Sequence, residues 1–179
     1  MRVLRLSMQF AAFFMLFIFL ACASTSTKFS SMWKDETYQG HPEKILVIST
    51  FQNASIRRLF QDEVVKALKD HKVDAVVRYF GLAPDKVVPD KDAIAALAKE
   101  VGADTVLITG PAGTKMDASG HPCINTHTDV YDMNTNKLIS SADAETKIQE
   151  GSTDPRHYLD QVPPYAKDLV NTLSKAGLF

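Results

Sequence analysis

The sequence predicts a single α/β domain, with a mixed sheet of about five strands and helices packed on it. Three short, β-branched apolar runs, at residues 44–51, 73–79 and 104–109, alternate with two stretches of helical periodicity, which is the order of a β-α-β-α-β unit. Two later segments alternate polar residues with apolar or small ones, as the strands of an antiparallel hairpin do. The chain has 179 residues, of which 45% are hydrophobic and 23% charged, so its composition suits one domain with a substantial core.

Residues 1–21 have the layout of a signal peptide. Arg2 and Arg5 form a positively charged beginning, an apolar stretch runs from Met8 to Leu20, and small residues follow. As a helix, this stretch of 13 residues would rise about 20 Å, whereas the hydrocarbon core of a bilayer is roughly 30 Å thick. We therefore predict a cleaved leader rather than a permanent membrane span.

The residues Phe19-Leu20-Ala21-Cys22 resemble the lipobox of bacterial lipoproteins. That resemblance implies cleavage before Cys22, acyl chains such as palmitate on its sulfur, and a lipid anchor in the membrane. Because Ala23 rather than Asp follows the cysteine, it also implies sorting to the outer membrane. Phe19 stands where Leu is usual, and Ala21-Cys22-Ala23 also fits an ordinary signal peptidase site. Cleavage after Ala23 would instead secrete an unlipidated protein to the periplasm, and both outcomes stay open.

Charge and cysteine content narrow the function classes. Removal of residues 1–21 takes away two arginines and no acidic residue, which changes the net charge from −1 to −3. A chain of this charge offers no basic patch for nucleic acid. With Cys22 carrying the lipid, Cys123 is the remaining thiol, so counting excludes an intramolecular disulfide. The sequence indicates no cofactor.

Residues 22–43 are polar, rich in turn-forming residues and without sustained periodicity. This pattern predicts a lipidated tether that leads to an α/β domain of residues 44–179. Trp33 is the exception, because a large aromatic side chain in a linker is more often docked on the domain than left in water.

The order of elements follows from periodicity and from capping residues. The run at 44–51 predicts a strand buried on both faces, and residues 56–68 have the spacing of an amphipathic helix that Asn53 or Ser55 can cap. A second strand at 73–79 and a second helical stripe at 94–101 follow, with Asp90 as a candidate N-cap and Gly102 as the stop. Helical crossovers between these strands predict parallel pairing.

Residues 124–130 and 138–148 predict an antiparallel hairpin, because turn-forming residues cluster at 132–136. Paired residues share a face, so Val130 should oppose Leu138 or Ser140. That register needs an odd-length connection, such as residues 133–135, with Asn136 in a left-handed conformation. A final helix around residues 165–173 is expected to start or kink at Pro163-Pro164 and to end near Gly177.

Several segments, in this order along the chain, look like those of uncharacterised bacterial lipoproteins of the domain-of-unknown-function kind: Ser31-Met32-Trp33-Lys34-Asp35, Lys44-Ile45-Leu46-Val47-Ile48, Arg57-Arg58-Leu59-Phe60-Gln61-Asp62, Gly102-Ala103-Asp104-Thr105-Val106-Leu107, Tyr131-Asp132 and Gly177-Leu178-Phe179. The layout is also similar to the α/β modules of TolB-type N-terminal domains and of lipoprotein activators of peptidoglycan synthases. Neither resemblance supplies a catalytic residue.

Three constellations invite a chemical interpretation. The segment Gly110-Pro111-Ala112-Gly113-Thr114-Lys115 follows a strand but lacks the Gly-Lys-Ser/Thr order of a phosphate loop, so a flexible loop is expected there. Cys123 and His127 would lie roughly 13 Å apart along one strand, too far to share a zinc ion, and His121 and Cys123 could act together only with ligands from elsewhere in the chain. Asp143 and Glu145 share a face with Lys147, which favours a solvated surface over an acid–base pair.

Two functions remain as hypotheses. The preferred one is a lipid-anchored envelope protein with a non-enzymatic binding or assembly role toward an envelope partner, since no coherent catalytic cluster is evident. The alternative is a periplasmic small-ligand sensor or enzyme. Its pocket would lie at the carboxyl end of the parallel strands, where open α/β sheets commonly bind ligands. Its candidate residues are Ser49, Thr50, Arg78, Tyr79 and Thr109.

Overall fold

A computed structural model describes residues 27–79, 90–118, 120–147 and 159–179. Within these residues, six strands form one mixed sheet and three helices accompany it, so the predicted α/β class is confirmed with one strand more than expected. The elements in chain order are β1 Thr27–Lys34, β2 Lys44–Ser49, α1 Ala54–Asp70, β3 Asp74–Val77, α2 Lys91–Val101, β4 Thr105–Met116, β5 Pro122–Asp132, β6 Lys137–Lys147 and α3 Val162–Lys175. The predicted leader and Cys22 lie outside the described residues.

The strands lie in the order β1-β6-β5-β4-β2-β3. β2 pairs in parallel with both β3 and β4, as the helical crossovers predicted. The remaining pairs, β4 with β5, β5 with β6 and β6 with β1, are antiparallel. The sheet is therefore parallel at one end and antiparallel at the other.

Capping residues set the ends of the helices where the sequence indicated. The Asn53 side chain accepts hydrogen bonds from two backbone amides at the start of α1, and Asp90 accepts one at the start of α2. Gly102 ends α2 in a left-handed conformation with φ 67°. Pro163 and Pro164 lie in the first turn of α3, so they start the helix rather than kink it.

Each face of the sheet has its own apolar cluster. The larger cluster lies under α1 and α3 and includes Phe60, Leu68, Leu107, Leu169 and Leu173. The smaller one lies under α2, at the parallel end, and joins Leu46, Ile48 and Val106 of the strands to Ala98 of the helix. None of the helices in the described part of the chain is long and apolar enough to cross a bilayer.

Strand β1 falls inside the segment 22–43 that was expected to be a tether. It pairs with β6 from Thr27 opposite Thr146 to Lys34 opposite Ser140. The Trp33 backbone is thereby fixed on the domain, while its side chain stays 48% exposed. The prediction of a docked Trp33 therefore holds for the main chain and fails for much of the indole.

Strand β4 continues well beyond residue 109, so the flexible loop expected at 110–115 is wrong. The strand runs to Met116 and keeps pairing with β5, from Pro111 opposite Thr126 to Met116 opposite Pro122. A β-bulge between Pro111 and Gly113 absorbs one extra residue, and Gly113 takes a φ of 114° there. Gly110 and Gly113 therefore belong to a strand rather than to a loop.

The register of the hairpin confirms the sequence analysis in part. Val130 lies opposite Ser140, and Asn136 has a φ of 55°. The connection itself is four residues long rather than odd-numbered, since β5 ends at Asp132 and β6 begins at Lys137. A bulge at Ile139 compensates, because the register shifts by one residue between the Val130 and Tyr131 pairs.

Candidate functional site

The structure separates the five residues proposed as a ligand site into two groups. Ser49 and Thr109 are opposite each other in the β2–β4 pair and are 1% and 0% exposed. The Thr50 backbone amide donates to the Thr109 carbonyl at 2.9 Å. Both buried hydroxyl side chains therefore belong to the interior of the domain, where they are covered by protein.

A triangle of buried hydroxyl groups lies around Thr109. Thr128 Oγ1 donates to Thr109 Oγ1 at 2.9 Å, and the Tyr165 hydroxyl lies 3.2 Å from Thr109 Oγ1 and 3.3 Å from Thr128 Oγ1. The triangle connects β4, β5 and α3 beneath the sheet. Two nearby hydroxyl groups make no such hydrogen bonds: Ser49 Oγ and Thr126 Oγ1 are buried without a hydrogen-bond partner among the described residues.

We expect the two threonines of β5 to respond oppositely to replacement by valine. Thr128→Val removes hydrogen bonds that satisfy Thr109 and Tyr165, so the free energy of unfolding should fall by about 1–2 kcal/mol. Thr126→Val removes an unsatisfied buried hydroxyl and nearly preserves the shape of the side chain. The free energy of unfolding should therefore rise by about 1 kcal/mol. Urea unfolding measures both, and each variant is the matched control for the other. Equal losses in the two would contradict this account.

Arg78 and Tyr79 follow β3 and have polar partners of their own. Arg78 Nη2 lies 2.7 Å from Glu100 Oε1 in α2. The Tyr79 hydroxyl donates to Asp62 of α1, and the hydrogen bond and burial raise the pKa of Tyr79 to about 12. The Arg58 guanidinium lies 5.6 Å from the centre of the Tyr79 ring, within cation–π distance. A ligand role for these two residues stays a prediction.

The side of the sheet opposite α1 and α3 carries a cluster of polar side chains on β1, β5 and β6. We call this region the polar face. The rest of the same side of the sheet, at the parallel strands, is covered by α2. Two groups of interacting side chains lie there, one around His127 and one around Cys123. They contain the residues that the sequence analysis considered separately as metal ligands and as paired carboxylates.

His127 lies between two carboxylates. Its Nδ1 is 2.6 Å from Asp143 Oδ1 on β6, and its Nε2 is 3.1 Å from Asp129 Oδ1 on the same strand. Asp143 also accepts a hydrogen bond of 2.6 Å from Ser31 Oγ on β1, and the Tyr131 hydroxyl donates to Asp129 at 3.3 Å. One chain of polar contacts thus crosses three strands.

Contact with two carboxylates favours the imidazolium form of the ring. The hydrogen bond to Asp143, above all, raises the pKa of His127, and the nearby charge of Asp129 acts in the same direction. On the other side, hydrogen bonds from Ser31 and then from His127 lower the pKa of Asp143. The contact therefore favours the imidazolium–carboxylate form of the pair, and each group is held in its charged state by the other.

The stability of the domain should therefore decrease as the pH rises through the folded-state pKa of His127. The contribution of a raised histidine pKa is complete below the unfolded value of about 6.5 and is lost above the folded value. Because the side chain is 46% exposed, the loss should be smaller than about 1 kcal/mol. Urea unfolding from about pH 6 to about pH 9 measures it. Asp143→Asn should flatten the slope and lower the titration midpoint of His127 in NMR, and a midpoint unchanged by that substitution would contradict the assignment.

Two salt bridges and one histidine–aspartate contact lie around Cys123. Lys115 Nζ lies 2.6 Å from Glu145 Oε2, Lys147 Nζ lies 2.7 Å from Asp117 Oδ2, and His121 Nδ1 lies 3.3 Å from the same oxygen of Asp117. Cys123 is 0% exposed beneath these side chains. The cluster ties β4 to β5 and β6 at the end of the sheet away from the hairpin turn.

This environment argues against the thiol as a nucleophile. Burial, and then the hydrogen bond and charge of Glu145, raise the pKa of Cys123. A protonated, covered thiol reacts slowly, since the thiolate is the nucleophile. The cooperation of His121 with Cys123 that the sequence left open takes a structural form: Cys123 Sγ contacts the His121 backbone carbonyl at 3.7 Å.

The sequence contains one signal for the His127 cluster, and it lies in the register of the hairpin. Once Val130 is placed opposite Ser140, the same antiparallel register puts His127 opposite Asp143, as the structure has it. Ser31 could not be found in this way, because its strand was not predicted. The polar face is thus a consequence of register rather than of any local motif.

No protein-family profile matches the sequence, and no curated protein is significantly similar to it. Among solved structures, the PelC dodecamer from Paraburkholderia phytofirmans is similar over 83% of this chain and 95% of that chain, with 13% identity and a TM-score of 0.47. Lipoprotein GNA1162 from Neisseria meningitidis is similar over 75% and 99% of the two chains, with 13% identity and a TM-score of 0.45. The LpoB C-terminal domain from Salmonella enterica is similar over 60% of this chain and 85% of that chain, with 12% identity and a TM-score of 0.33.

A bacterial lipoprotein is thus among the solved structures that the chain resembles, in line with the resemblance seen in the sequence. At these identities and TM-scores, however, the likeness carries no inference about partner or activity. Such an inference has to come from the chain's own residues.

Proposed function

We propose that this chain is a lipid-anchored envelope protein that uses the polar face of its sheet to bind another envelope protein, without catalysing a reaction. The anchor is Cys22, within a leader whose layout resembles that of bacterial lipoproteins. Because Ala23 follows the cysteine, the outer membrane is the proposed location, with the domain facing the periplasm. Lipoprotein GNA1162, which is similar in structure, is consistent with this assignment.

The observation that carries the binding role is the asymmetry of the sheet. One face lies under α1 and α3, whereas the other face presents His127, Asp143 and the exposed indole of Trp33 on three adjacent strands. Tryptophan is enriched at the centres of protein interfaces, and a polar rim around it is typical of them. The charged groups of the clusters around His127 and Cys123 are paired with one another, which favours recognition over chemistry.

Metabolic labelling with a palmitate analogue tests the anchor. The wild-type protein should take up the label and fractionate with the outer membrane, and Cys22→Ser should lose the label. Cys123→Ser is the matched control, since the chain has two cysteines and this variant should remain labelled. An unlabelled wild-type protein that begins at Ser24 would instead support secretion to the periplasm.

Site-specific photocrosslinking in intact cells tests the binding face. A photoreactive phenylalanine analogue at Trp33 should crosslink to a discrete envelope protein, and Asp143→Lys should abolish that product. The same analogue at Lys66, which is 68% exposed on α1 on the opposite side of the sheet, is the control and should give no such product. Identical products from both positions would refute the assignment of this face.

A further inference from the structure

A separate cavity of about 370 Å³ lies between α2 and the end of the β5–β6 hairpin. Its walls are mostly apolar and come from Ile94 on α2, Val106 and Ile108 on β4, Tyr131 on β5 and Met133 in the turn after β5. The volume falls within the range of about 300–1,000 Å³ that is typical of small-molecule sites. Of the residues of the polar face named above, Tyr131 also lines the cavity, so the cavity adjoins that face.

The polar groups at the cavity give it one unpaired positive charge. Lys91, the first residue of α2, lines the cavity, and its side chain makes no ion pair within the described ranges of the chain. The neighbouring carboxylate, Asp129, lies opposite Ile108 but has both oxygens occupied, one by His127 and one by the Tyr131 hydroxyl. The Lys91 ammonium is therefore the charge available to a ligand.

We propose that this cavity binds a small amphipathic carboxylate, with the apolar part of the ligand against Ile94, Ile108 and Met133 and the carboxylate at Lys91. A single ammonium beside an apolar wall selects a ligand with one anionic end and an uncharged body. The amide of Asn136, which also lines the cavity, can donate a further hydrogen bond to the carboxylate. The site adjoins the polar face at Tyr131, but it would take a small molecule rather than a protein partner.

NMR of the methionine methyl groups in the full chain, purified in detergent, tests the proposal directly. With ¹³C-methyl methionine, Met133 reports on the cavity, and Met116, which is 67% exposed on β4 and does not line it, is the internal control. Titration with 4-(trifluoromethyl)benzoate should shift the Met133 signal saturably and leave Met116 unchanged. The uncharged benzyl alcohol analogue should bind more weakly, and the benzylamine analogue weakest of the three.

A pair of variants on the same helix tests the role of the charge. Lys91→Gln should weaken binding of the benzoate about fivefold, as expected for one exposed charge pair of about 1 kcal/mol. Lys99→Gln, in the last turn of α2 and outside the cavity lining, should leave the affinity unchanged. An unshifted Met133 at the solubility limit of the benzoate, an amine that binds as tightly, or equal effects of the two variants would overturn the proposal.

Discussion

Replacing Phe60 by alanine is expected to lower the free energy of unfolding by about 3–5 kcal/mol. Phe60 is 2% exposed on α1 and contacts aromatic rings on two sides. Its ring centre lies 4.2 Å from that of Phe51, which follows β2, and 5.3 Å from that of Tyr165 on α3. The side chain therefore joins both helices to the sheet, and its truncation leaves a cavity at their junction.

Urea unfolding followed by circular dichroism measures this loss, and two variants separate its causes. Phe60→Leu retains much of the buried volume and should lose only roughly 1–2 kcal/mol. Trp33→Ala removes a larger aromatic side chain that is 48% exposed, so its effect should stay below about 1 kcal/mol. A Phe60→Ala variant as stable as Trp33→Ala would mean that the three-ring contact does not hold the helices on the sheet.

The parts of the fold that the sequence predicted are those in which burial leaves a local pattern. α1 repeats its apolar residues at the spacing of a helix, and the parallel strands β2 and β4 begin with continuous apolar runs, as strands buried on both faces do. The register of the hairpin was predicted in part, because a shared face limits the partner of Val130 to Leu138 or Ser140, and Ser140 is the partner in the structure.

Strand β1 escaped prediction for a physical reason. Its core-facing residues are Phe29 and Met32, which lie three positions apart rather than two. A bulge at Ser30, between the pairs of Phe29 and Ser31, inserts the extra residue and breaks the alternation that marks a half-buried strand. The pairing partner, β6, lies more than a hundred residues away, so nothing nearby in the sequence compensates for the lost pattern.

The prediction of the candidate ligand residues was also limited by what a local sequence pattern can show. A position at the carboxyl end of a parallel strand suggested that Ser49, Thr50 and Thr109 border a crevice. That inference assumes that the strand ends there, but β4 continues through residue 116 as one arm of an antiparallel pair. The continuation places Thr109 in the middle of a strand, where its hydroxyl meets Thr128 and Tyr165 instead of solvent.

The continuation of β4 also accounts for Gly110 and Gly113, the two glycines of the segment that was compared with a phosphate loop. It predicts that replacement by alanine destabilises the domain for a different reason at each position. A Cβ atom on Gly110 would lie 1.7 Å from Thr50 Oγ1 and 3.0 Å from Thr50 Cβ. Rotation of the threonine relieves the first overlap but leaves the second, so Gly110→Ala should lower the free energy of unfolding by about 2–3 kcal/mol. At Gly113 no atom lies within 4 Å of an added Cβ, and the φ of 114° alone makes alanine unfavourable.

A double-mutant cycle in urea unfolding distinguishes the two causes. Thr50→Ala removes the hydroxyl that would overlap with the new methyl group of Gly110→Ala. The double variant should therefore recover about 1 kcal/mol or more of the lost free energy of unfolding. The same threonine substitution should leave the effect of Gly113→Ala unchanged, since that strain lies in the backbone of the bulge. If Thr50→Ala rescued both glycine variants or neither, the close approach of β4 to the end of β2 would not be what requires glycine at position 110.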